Sequence, residues 1–266
     1  MEITPIQQVQ DEPEEGVKFT IEGVVTSNAS GYDKDTAFFD CIYLQDSTGG
    51  INAFPVAGNY KIGDILRLTG TTSSYQGERQ INVTSVEKIG ETTPVAPKEV
   101  TAQQINDGSV LGQLVKLKGT VVSFEKANGL VQTIIVKDAA GNEARIFIDG
   151  YITTDKDVVG LEVGCNIEVV GCASYDNSFA GEPARIRVRD RADVVCSPAT
   201  TEPTDPTEPG ETTQPTKPGE TTQPTDPNGP DQTGESFNLV LVVVALVVSA
   251  ACLVAVVVFS KKYKAR

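Results

Sequence analysis

The sequence predicts an all-β protein built from two tandem copies of one small barrel domain, followed by a stalk and a membrane segment. Three observations lead to this fold class. An internal repeat runs through most of the chain, and each copy alternates apolar and polar residues between turns rich in Gly, Asp and Asn. That alternation is typical of short half-buried strands. Near the C-terminus, an uncharged apolar run extends from Leu239 to Phe259.

The repeat is clearest in one ungapped pair of segments. Lys61-Ile-Gly-Asp-Ile-Leu-Arg-Leu-Thr-Gly70 aligns with Glu162-Val-Gly-Cys-Asn-Ile-Glu-Val-Val-Gly171. Shorter matches keep the same order on either side of this block. Matching blocks that keep the same order in both halves indicate repeated structural units. The sequence therefore predicts one domain at residues 1–97 and a second at residues 98–197.

Five strands are predicted in each copy. They lie near residues 17–27, 37–46, 50–56, 64–73 and 78–87 in the first, and near 114–125, 130–137, 143–149, 165–174 and 183–195 in the second. Five short strands, with a glycine inside the first one, favour a barrel of the oligonucleotide- and oligosaccharide-binding (OB) type. A short helix is expected to precede each set, with Thr4 or Thr101 as its N-cap.

Three blocks of the first copy carry a resemblance to a known family. They are Ile21-Glu-Gly-Val-Val25, Tyr43-Leu-Gln-Asp-Ser-Thr-Gly-Gly-Ile51 and Gly63-Asp-Ile-Leu-Arg-Leu-Thr-Gly70. These blocks resemble the OB-fold repeats of secreted and surface-attached bacterial endonucleases and related nucleotide-hydrolysing proteins. The resemblance covers both copies, from Ile3 to Val195. Because such repeats accompany a separate catalytic domain that this chain does not contain, the resemblance implies a binding or spacing module, with a longer parent protein as one source of it.

An OB barrel commonly binds its ligand on the outer face of the second and third strands. Strand alternation turns Tyr43 and Phe54 outward in the first copy, and the second copy has Lys137, Arg145 and Phe147 at matching positions. The rings are candidates for stacking on bases or sugars, and the cations for contacts with phosphates. The alternative is that the aromatic side chains pack under loops or against the other domain.

A second candidate site is basic. The predicted last strand of the second copy carries arginines at alternate positions, Arg185, Arg187, Arg189 and Arg191. If this strand lies beside the first, Lys116 and Lys118 extend the row into a basic patch for a polyanion, on a chain whose net charge is -14. The alternative is that the arginines solubilise an exposed strand and pair with Asp190, Asp193 or Glu168.

Composition excludes several kinds of site. The chain has no His, which rules out His-based catalytic triads and His-based zinc sites. No Cys-x-x-Cys motif is present, and neither a metal nor a cofactor is expected. Cys165 and Cys196 should lie close together across the last hairpin. That placement suits a disulfide outside the cell, while separate thiols remain the alternative.

The C-terminal part predicts attachment to a membrane. Residues 198–236 are rich in Thr, Pro and Glu, which favours a disordered, extended stalk. Residues 237–260 hold enough apolar residues for a membrane helix, and the basic tail at 261–266 should stay in the cytoplasm. The barrels are then extracellular. Because the N-terminus lacks a signal-peptide pattern, a tail-anchored protein that faces the cytoplasm is the other interpretation, and the stalk argues against it.

A short motif lies just before the apolar run. Pro230-Asp-Gln-Thr-Gly-Glu235 and the segments after it resemble the three-part sorting signal of Gram-positive surface proteins, in which a sortase cleaves between Thr and Gly. Thr233 and Gly234 match those two positions. The usual Leu-Pro is replaced by Pro230-Asp231, so a sortase substrate and a plain membrane anchor both stay open.

Together these observations predict a surface-anchored, non-catalytic tandem OB protein. Its expected ligand is an extended polymer, with single-stranded nucleic acid first and polysaccharide as another option. The alternative from a different class is a structural spacer or adhesin. Such a protein would present itself, or a missing upstream catalytic domain, above the cell wall.

Overall fold

The computed structural model describes residues 2–153 and 157–199. These residues form two closed five-stranded β-barrels, which confirms the predicted all-β class and the tandem barrels. Within the described ranges, no helix is long and apolar enough to cross a membrane. Nearly all of the predicted stalk, together with the membrane helix, the basic tail and the sortase motif, lies outside the described residues.

The first barrel has the strand order of an OB fold. It contains α1 (Ile6–Gln10), β1 (Lys18–Val25), β2 (Ile42–Gln45), β3 (Gly50–Phe54), β4 (Asp64–Tyr75) and β5 (Glu78–Glu91). The hydrogen-bonded order is β1-β2-β3-β5-β4, and β4 returns to pair with β1. The pairing of β3 with β5 is parallel, and the other pairs are antiparallel. This closed arrangement leaves the outer face of β2 and β3 free to receive a partner.

The second barrel repeats this order with one break. Its elements are β6 (Lys98–Glu99), α2 (Ala102–Asn106), β7 (Leu114–Ala127), β8 (Leu130–Lys137), β9 (Glu143–Ile148), β10 (Asn166–Tyr175), β11 (Ala184–Val188), a 3-10 turn (Arg191–Asp193) and β12 (Val194–Ser197). The ring β7-β8-β9-β11-β10 closes between β10 and β7. The predicted fifth strand is therefore interrupted. The side chain of Asp190 accepts a hydrogen bond from the Ala192 amide and starts the 3-10 turn there.

The two entrance helices differ in how they begin. Thr101 caps α2 as predicted, in a reciprocal capping box with Gln104. The prediction for Thr4 was wrong, because α1 has Pro5 as its N-cap. The Thr4 amide instead donates to the Thr20 carbonyl of β1 at 2.8 Å, which holds Thr4 outside the first turn.

Two glycines show that the repeat is structural. Gly70 and Gly171 occupy matching positions in β4 and β10, where the final strand of each barrel crosses closely. A Cβ at Gly70 would lie 2.3 Å from the Asn82 carbonyl oxygen, and one at Gly171 would lie 2.5 Å from the Arg187 carbonyl oxygen. No real side chain tolerates such distances to backbone, so both barrels need glycine here.

The cores follow the predicted alternation. Four inward positions of β2 and β3 are fully buried in the first barrel, namely Ile42, Leu44, Ile51 and Ala53. Ile186 and Val188 face the core of the second barrel in the same way. The apolar cluster of the second barrel also extends to Phe38, Cys41 and Tyr43 of the first. The two barrels are therefore packed directly against each other, which positions the residues discussed next.

Candidate functional site

The outer face of β2 and β3 in the first barrel is covered by the second barrel. Tyr43 points outward from β2, as predicted, but its side chain is 0% exposed. Its hydroxyl donates a 2.7 Å hydrogen bond to Glu78 Oε1. The prediction of Tyr43 as an exposed stacking residue was therefore wrong, because the neighbouring barrel packs over the ring. The alternative interpretation, packing against the other domain, describes this residue.

Glu78 is the central polar group of this contact, which we call the joint. Ser174 Oγ of the second barrel donates to Glu78 Oε2 at 2.9 Å, so one carboxylate bridges Tyr43 and Ser174. Burial raises the pKa of Glu78, and the hydrogen bonds from Tyr43 and Ser174 offset only part of that effect. A buried carboxylate is stable here only while these partners stay in place.

Further contacts lock the joint on both sides of Glu78. The Arg187 guanidinium lies 4.1 Å above the Phe38 ring, and Arg189 Nη1 donates to the Thr26 carbonyl at 2.9 Å. At the other end, the Leu114 amide donates to Gln45 Oε1 at 2.9 Å. The joint therefore combines a cation–π contact with hydrogen bonds that cross from one barrel to the other.

The four arginines of the predicted basic row are not exposed together. β11 ends at Val188, and Arg191 lies on the 3-10 turn. Every one is paired with an aspartate, at N–O distances of 2.7 Å (Arg185–Asp176), 2.7 Å (Arg187–Asp149), 3.0 Å (Arg189–Asp193) and 3.0 Å (Arg191–Asp157). None of the four side chains is more than 13% exposed. The expected solvent-facing row was wrong, because the strand ends at Val188 and each of the four side chains is buried in an ion pair with an aspartate.

The lysines do not extend that row either. The strands that pair with β7 are β6, β8 and β10. β11, which carries Arg185 and Arg187, pairs with β9 and β10 instead. Lys116 and Lys118 instead share Glu99, at 3.2 and 3.0 Å, and approach Glu168 at 3.9 and 3.6 Å. The predicted merged patch therefore does not form, and these two cations are largely neutralised.

A cleft of about 530 Å³ opens where the two barrels meet. We call it the inter-barrel cleft. Aromatic rings from both barrels line it, namely Phe38, Phe39, Phe54, Tyr75, Phe147, Tyr151 and Tyr175. Most of the rings belong to loops or strand ends rather than strand centres. Phe38 is buried, and the exposed rings come from both barrels, namely Phe39, Phe54 and Tyr75 of the first and Tyr151 of the second.

The rings at the mouth of the cleft are accessible. Tyr75 is 64% exposed at the tip of the β4–β5 hairpin. Phe39 and Tyr151 stack on each other across the two barrels, with their centroids 5.5 Å apart. Asn52 and Gln80 of the first barrel add amide groups to the wall. This combination of flat apolar faces and a few convergent polar groups is typical of a ligand pocket.

The remaining predicted positions separate into two groups. Phe54 and Phe147 line the cleft, and Phe147 lies 4.6 Å from the Arg185 guanidinium. Lys137 pairs with Glu143 at 3.2 Å. Arg145 is 2% exposed rather than outward and free, because Phe179 lies over its guanidinium. The sequence thus identified two of the cleft rings and missed the others, whose signal was aromatic residues in loop segments such as Phe38-Phe39.

Four cysteines lie in the part of the chain that the structure describes, and all four are thiols there, namely Cys41, Cys165, Cys172 and Cys196. Burial and the neighbouring Cys165 raise the pKa of Cys196 to about 12, so this thiol is protonated at neutral pH. The predicted disulfide between the two stays a prediction. Within the described part of the chain, no group of three or more His, Cys, Asp or Glu side chains is arranged to hold a metal ion.

No family model matches the chain. No curated protein matches it. Solved structures with similarity include tetrameric p202 HIN2, at 15% identity, covering 71% of this chain and 97% of that one, with a TM-score of 0.32. A murine DNA-binding protein bound with double-stranded DNA has 10% identity, coverages of 67% and 97%, and a TM-score of 0.36. A deletion mutant of the single-stranded DNA-binding protein from Thermus aquaticus has 10% identity, coverages of 73% and 100%, and a TM-score of 0.24. At these TM-scores the similarities decide nothing about function, and the OB assignment depends on the strand order.

Proposed function

We propose that the tandem barrels form a non-catalytic binding module that holds a segment of single-stranded nucleic acid in the inter-barrel cleft. The observation that supports this proposal is the concentration of accessible aromatic rings on both walls of one cleft. Bases of a single strand are unstacked and offer two flat faces, and stacking on protein rings stabilises each base by about 1–3 kcal/mol. A duplex keeps its bases stacked and would not fit this mode of binding.

The charges around the cleft define how such a strand would be recognised. Arg185 and Arg187 line the cleft, but each is already paired with an aspartate. The chain as a whole carries a net charge of -14. Phosphate contacts would therefore contribute little, and recognition would depend on the bases. The proposal thus replaces the basic row predicted from the sequence with a base-stacking cleft.

We extend the proposal to the location of the module. The stalk and the apolar run at residues 198–260 support a module carried outside the cell on a membrane anchor, with Thr233 and Gly234 as the place where a sortase would act. An extended stalk keeps a binding cleft clear of the membrane. Protease added to intact cells should release the barrels. Cleavage only after lysis would contradict this orientation.

The binding proposal is tested with the full chain and a fluorescein-labelled oligothymidylate, by fluorescence anisotropy. The unlabelled competitors are a duplex and a neutral hexasaccharide. We expect binding to the single strand, weakened by about 1–3 kcal/mol in each of the variants Phe54→Ala and Tyr75→Ala. The salt dependence should be shallow, with log K changing by no more than about 0.7 per unit of log salt, equivalent to one phosphate contact.

Tyr32→Ala is the matched control. Tyr32 is 51% exposed on the loop between β1 and β2 but does not line the cleft. Its removal should leave the affinity unchanged. Equal losses in Tyr32→Ala and Tyr75→Ala, or binding of the hexasaccharide alone, would contradict the nucleic-acid proposal.

A rigid spacer is a second candidate, and the joint is the observation that favours it. Contacts across Glu78, Arg187 and Arg189 hold the barrels as one unit, which is what a presenting spacer needs. A protease site placed within residues 92–97, between β5 and β6, would test this rigidity. The spacer requires that the cut halves stay together in gel filtration and that no oligomer binds. Separation of the halves would exclude it.

A further inference from the structure

Arg145 differs from the other arginines of the second barrel. Of the arginines that the structure describes there, it is the one that forms no ion pair, although its side chain is almost fully buried. Its Nη2 donates to the Pro183 carbonyl at 3.0 Å, and its buried Nε has no hydrogen-bond partner. A buried guanidinium with unused donors is costly unless something else stabilises it.

An aromatic ring supplies part of that stabilisation. Phe179 lies over the guanidinium, with the Arg145 carbon Cζ 3.9 Å from the ring centroid. The ring belongs to the loop between β10 and β11, whose base is closed by a 2.9 Å hydrogen bond from the Asp176 amide to the Pro183 carbonyl. Phe179 itself is 40% exposed. A solvent-facing loop therefore places a planar ring on a buried cation.

The loop has few ties to the rest of the molecule. Asn177 donates its amide hydrogen to the Gln76 carbonyl at 2.9 Å, and Gln76 Nε2 donates to Ser178 Oγ at 3.2 Å. Both contacts reach the exposed tip of the β4–β5 hairpin. Lifting the loop would break these two hydrogen bonds and the cation–π contact, and it would leave the barrel core unchanged.

Arg145 also lies beside the inter-barrel cleft. On β9 it is in register with Arg185 of β11 and Ile135 of β8, and Arg185 lines the cleft. This is the outer face of the second and third strands of the second barrel, where an OB barrel commonly holds its ligand. A strand bound in the cleft would therefore reach Arg145 by continuing across one neighbouring β-strand.

We infer that Arg145 is a second base-binding subsite, which Phe179 occupies until a nucleobase of the bound strand replaces the ring. This inference rests on the proposed function. A nucleobase can stack on the guanidinium plane as the phenyl ring does. Unlike phenyl, a nucleotide also brings oxygen acceptors for the unused Nε–H. Burial and nearby Arg185 lower the pKa of Arg145 to about 10, which still leaves it charged at neutral pH.

The first experiment uses Phe179→Trp as a reporter. The chain has no tryptophan, so the new indole is a single fluorophore at the subsite. With the full chain and an unlabelled oligothymidylate, we expect acrylamide to quench the indole more strongly as the oligonucleotide is added, because the ring leaves the guanidinium. Binding measured by anisotropy of a labelled oligonucleotide, together with unchanged quenching, would overturn the subsite but not the proposed function.

The second experiment removes the competing ring or the cation. Phe179→Ala should tighten oligothymidylate binding by about two- to fivefold, the fold-change that corresponds to an exposed cation–π contact. A loop needed only for structure would instead leave the affinity equal or weaker. Arg145→Gln should weaken binding at least as much as Phe179→Ala tightens it, and Arg145→Lys should restore little because lysine lacks the planar group.

Arg79→Gln is the control for the loss of one arginine, here a half-buried one. Arg79 donates to the backbone carbonyls of Ser73, Glu12 and Pro13 rather than to a nucleotide-facing surface. Its variant should bind normally. If Arg145→Gln fails to fold, the Phe179 variants still decide the question. Absence of oligonucleotide binding in the unaltered chain and in Phe179→Ala would overturn both the subsite and the proposed function.

Discussion

The equivalent faces of the two barrels are both covered, but by different means. In the first barrel, Tyr43 on β2 is buried under the whole second barrel and hydrogen bonded to Glu78. In the second, the guanidinium of the buried Arg145 on β9 lies under the ring of Phe179, which belongs to the loop between β10 and β11. The second barrel cannot move off the first face without breaking the contacts of the joint. The loop that carries Phe179 can move without breaking them. The first face is therefore closed by a whole domain, and the second by a loop.

This difference also explains why the repeat does not give two identical binding sites. The β2–β3 face of the first barrel contributes Asn52 and Phe54 to the edge of the inter-barrel cleft, while its centre is used for packing. The second barrel contributes Phe147 and the loop residue Tyr151 to the same cleft. One shared cleft thus replaces two separate ones.

The largest expected effect on stability comes from weakening the contact between the barrels that covers the first face. Arg187→Ala removes the 2.7 Å ion pair with Asp149 and the contact with the Phe38 ring. Because the pair is buried, the change leaves Asp149 without its cation, and we expect the free energy of unfolding to fall by about 3–5 kcal/mol. Urea denaturation followed by circular dichroism measures this loss.

An exposed ion pair is the control for that measurement. Arg67 pairs with Glu22 at 2.7 Å and with Glu87 at 3.0 Å on the surface of the first barrel. Arg67→Ala should cost about 0–1 kcal/mol. Equal losses in the two variants would show that the joint is no more important than a surface contact, and the contrast between the two faces would fail.

The second prediction concerns the dependence of stability on pH. The contributions of Glu78, at the first face, and of Asp176, at the second, should change with pH in opposite directions. Burial raises the pKa of Glu78 above its ordinary value of 4.5, so the folded state favours the protonated acid. The stability that Glu78 contributes is therefore complete below pH 4.5 and is lost as the pH rises through the raised pKa. Measuring the free energy of unfolding of the unaltered chain and of Glu78→Gln from pH 4.5 upward isolates the contribution of Glu78.

Asp176, beside Arg145 and Arg185, provides the opposite case. Burial alone would raise its pKa, but hydrogen bonds from Ser178 and the charge of Arg185 outweigh burial, and the pKa is lowered from 3.8. Its contribution is present above pH 3.8 and is lost as the pH falls through the lowered value. The stability difference between the unaltered chain and Asp176→Asn should thus grow with rising pH. The same slope for both variants would contradict the assigned environments.

Much of the fold was predictable because local alternation of apolar and polar residues marks each strand. The alternation that turns Tyr43 outward places its neighbours Ile42 and Leu44 inward, and both are core residues. The matched Gly70 and Gly171 reflect a close strand crossing that each copy needs. The break between β11 and β12 was missed. It depends on one hydrogen bond that the Asp190 side chain accepts from the Ala192 amide, which a periodic pattern cannot reveal.

The site was less predictable for a physical reason. Alternation tells which side of a strand a residue occupies, but not what packs on that side. Tyr43 and Arg187 do point away from their own barrel cores, and both are buried because another domain lies there. Likewise, Tyr75 and Tyr151 reach the cleft only because two loops from different barrels meet. Contacts between domains are set by tertiary packing, which the sequence pattern does not encode.

The third prediction tests how much the loop that carries Phe179 contributes to stability. Replacing residues 177–182 with a two-glycine turn removes Phe179 and exposes Arg145 to water. The lost cation–π contact is worth about 0.5–1 kcal/mol, and hydration of the guanidinium offsets part of that loss. We expect the free energy of unfolding to fall by no more than about 1 kcal/mol in urea. A loss as large as that of Arg187→Ala would make the loop a structural cover like the second barrel.

The smallest effect on stability and binding is expected on a surface away from the joint and from the loop that carries Phe179. Lys116 and Lys118 lie on β7 and share Glu99, and Lys118 is 59% exposed. Changing both to Gln removes exposed ion pairs, so the free energy of unfolding should change by about 0–1 kcal/mol. Because these lysines do not line the inter-barrel cleft and are already paired with Glu99 and Glu168, oligothymidylate affinity should stay constant. Its salt dependence should stay constant as well, whereas two lost phosphate contacts would reduce the slope by about 1.4. A reduction of that size would show that the strand binds on the surface around Lys116 and Lys118 and not in the inter-barrel cleft.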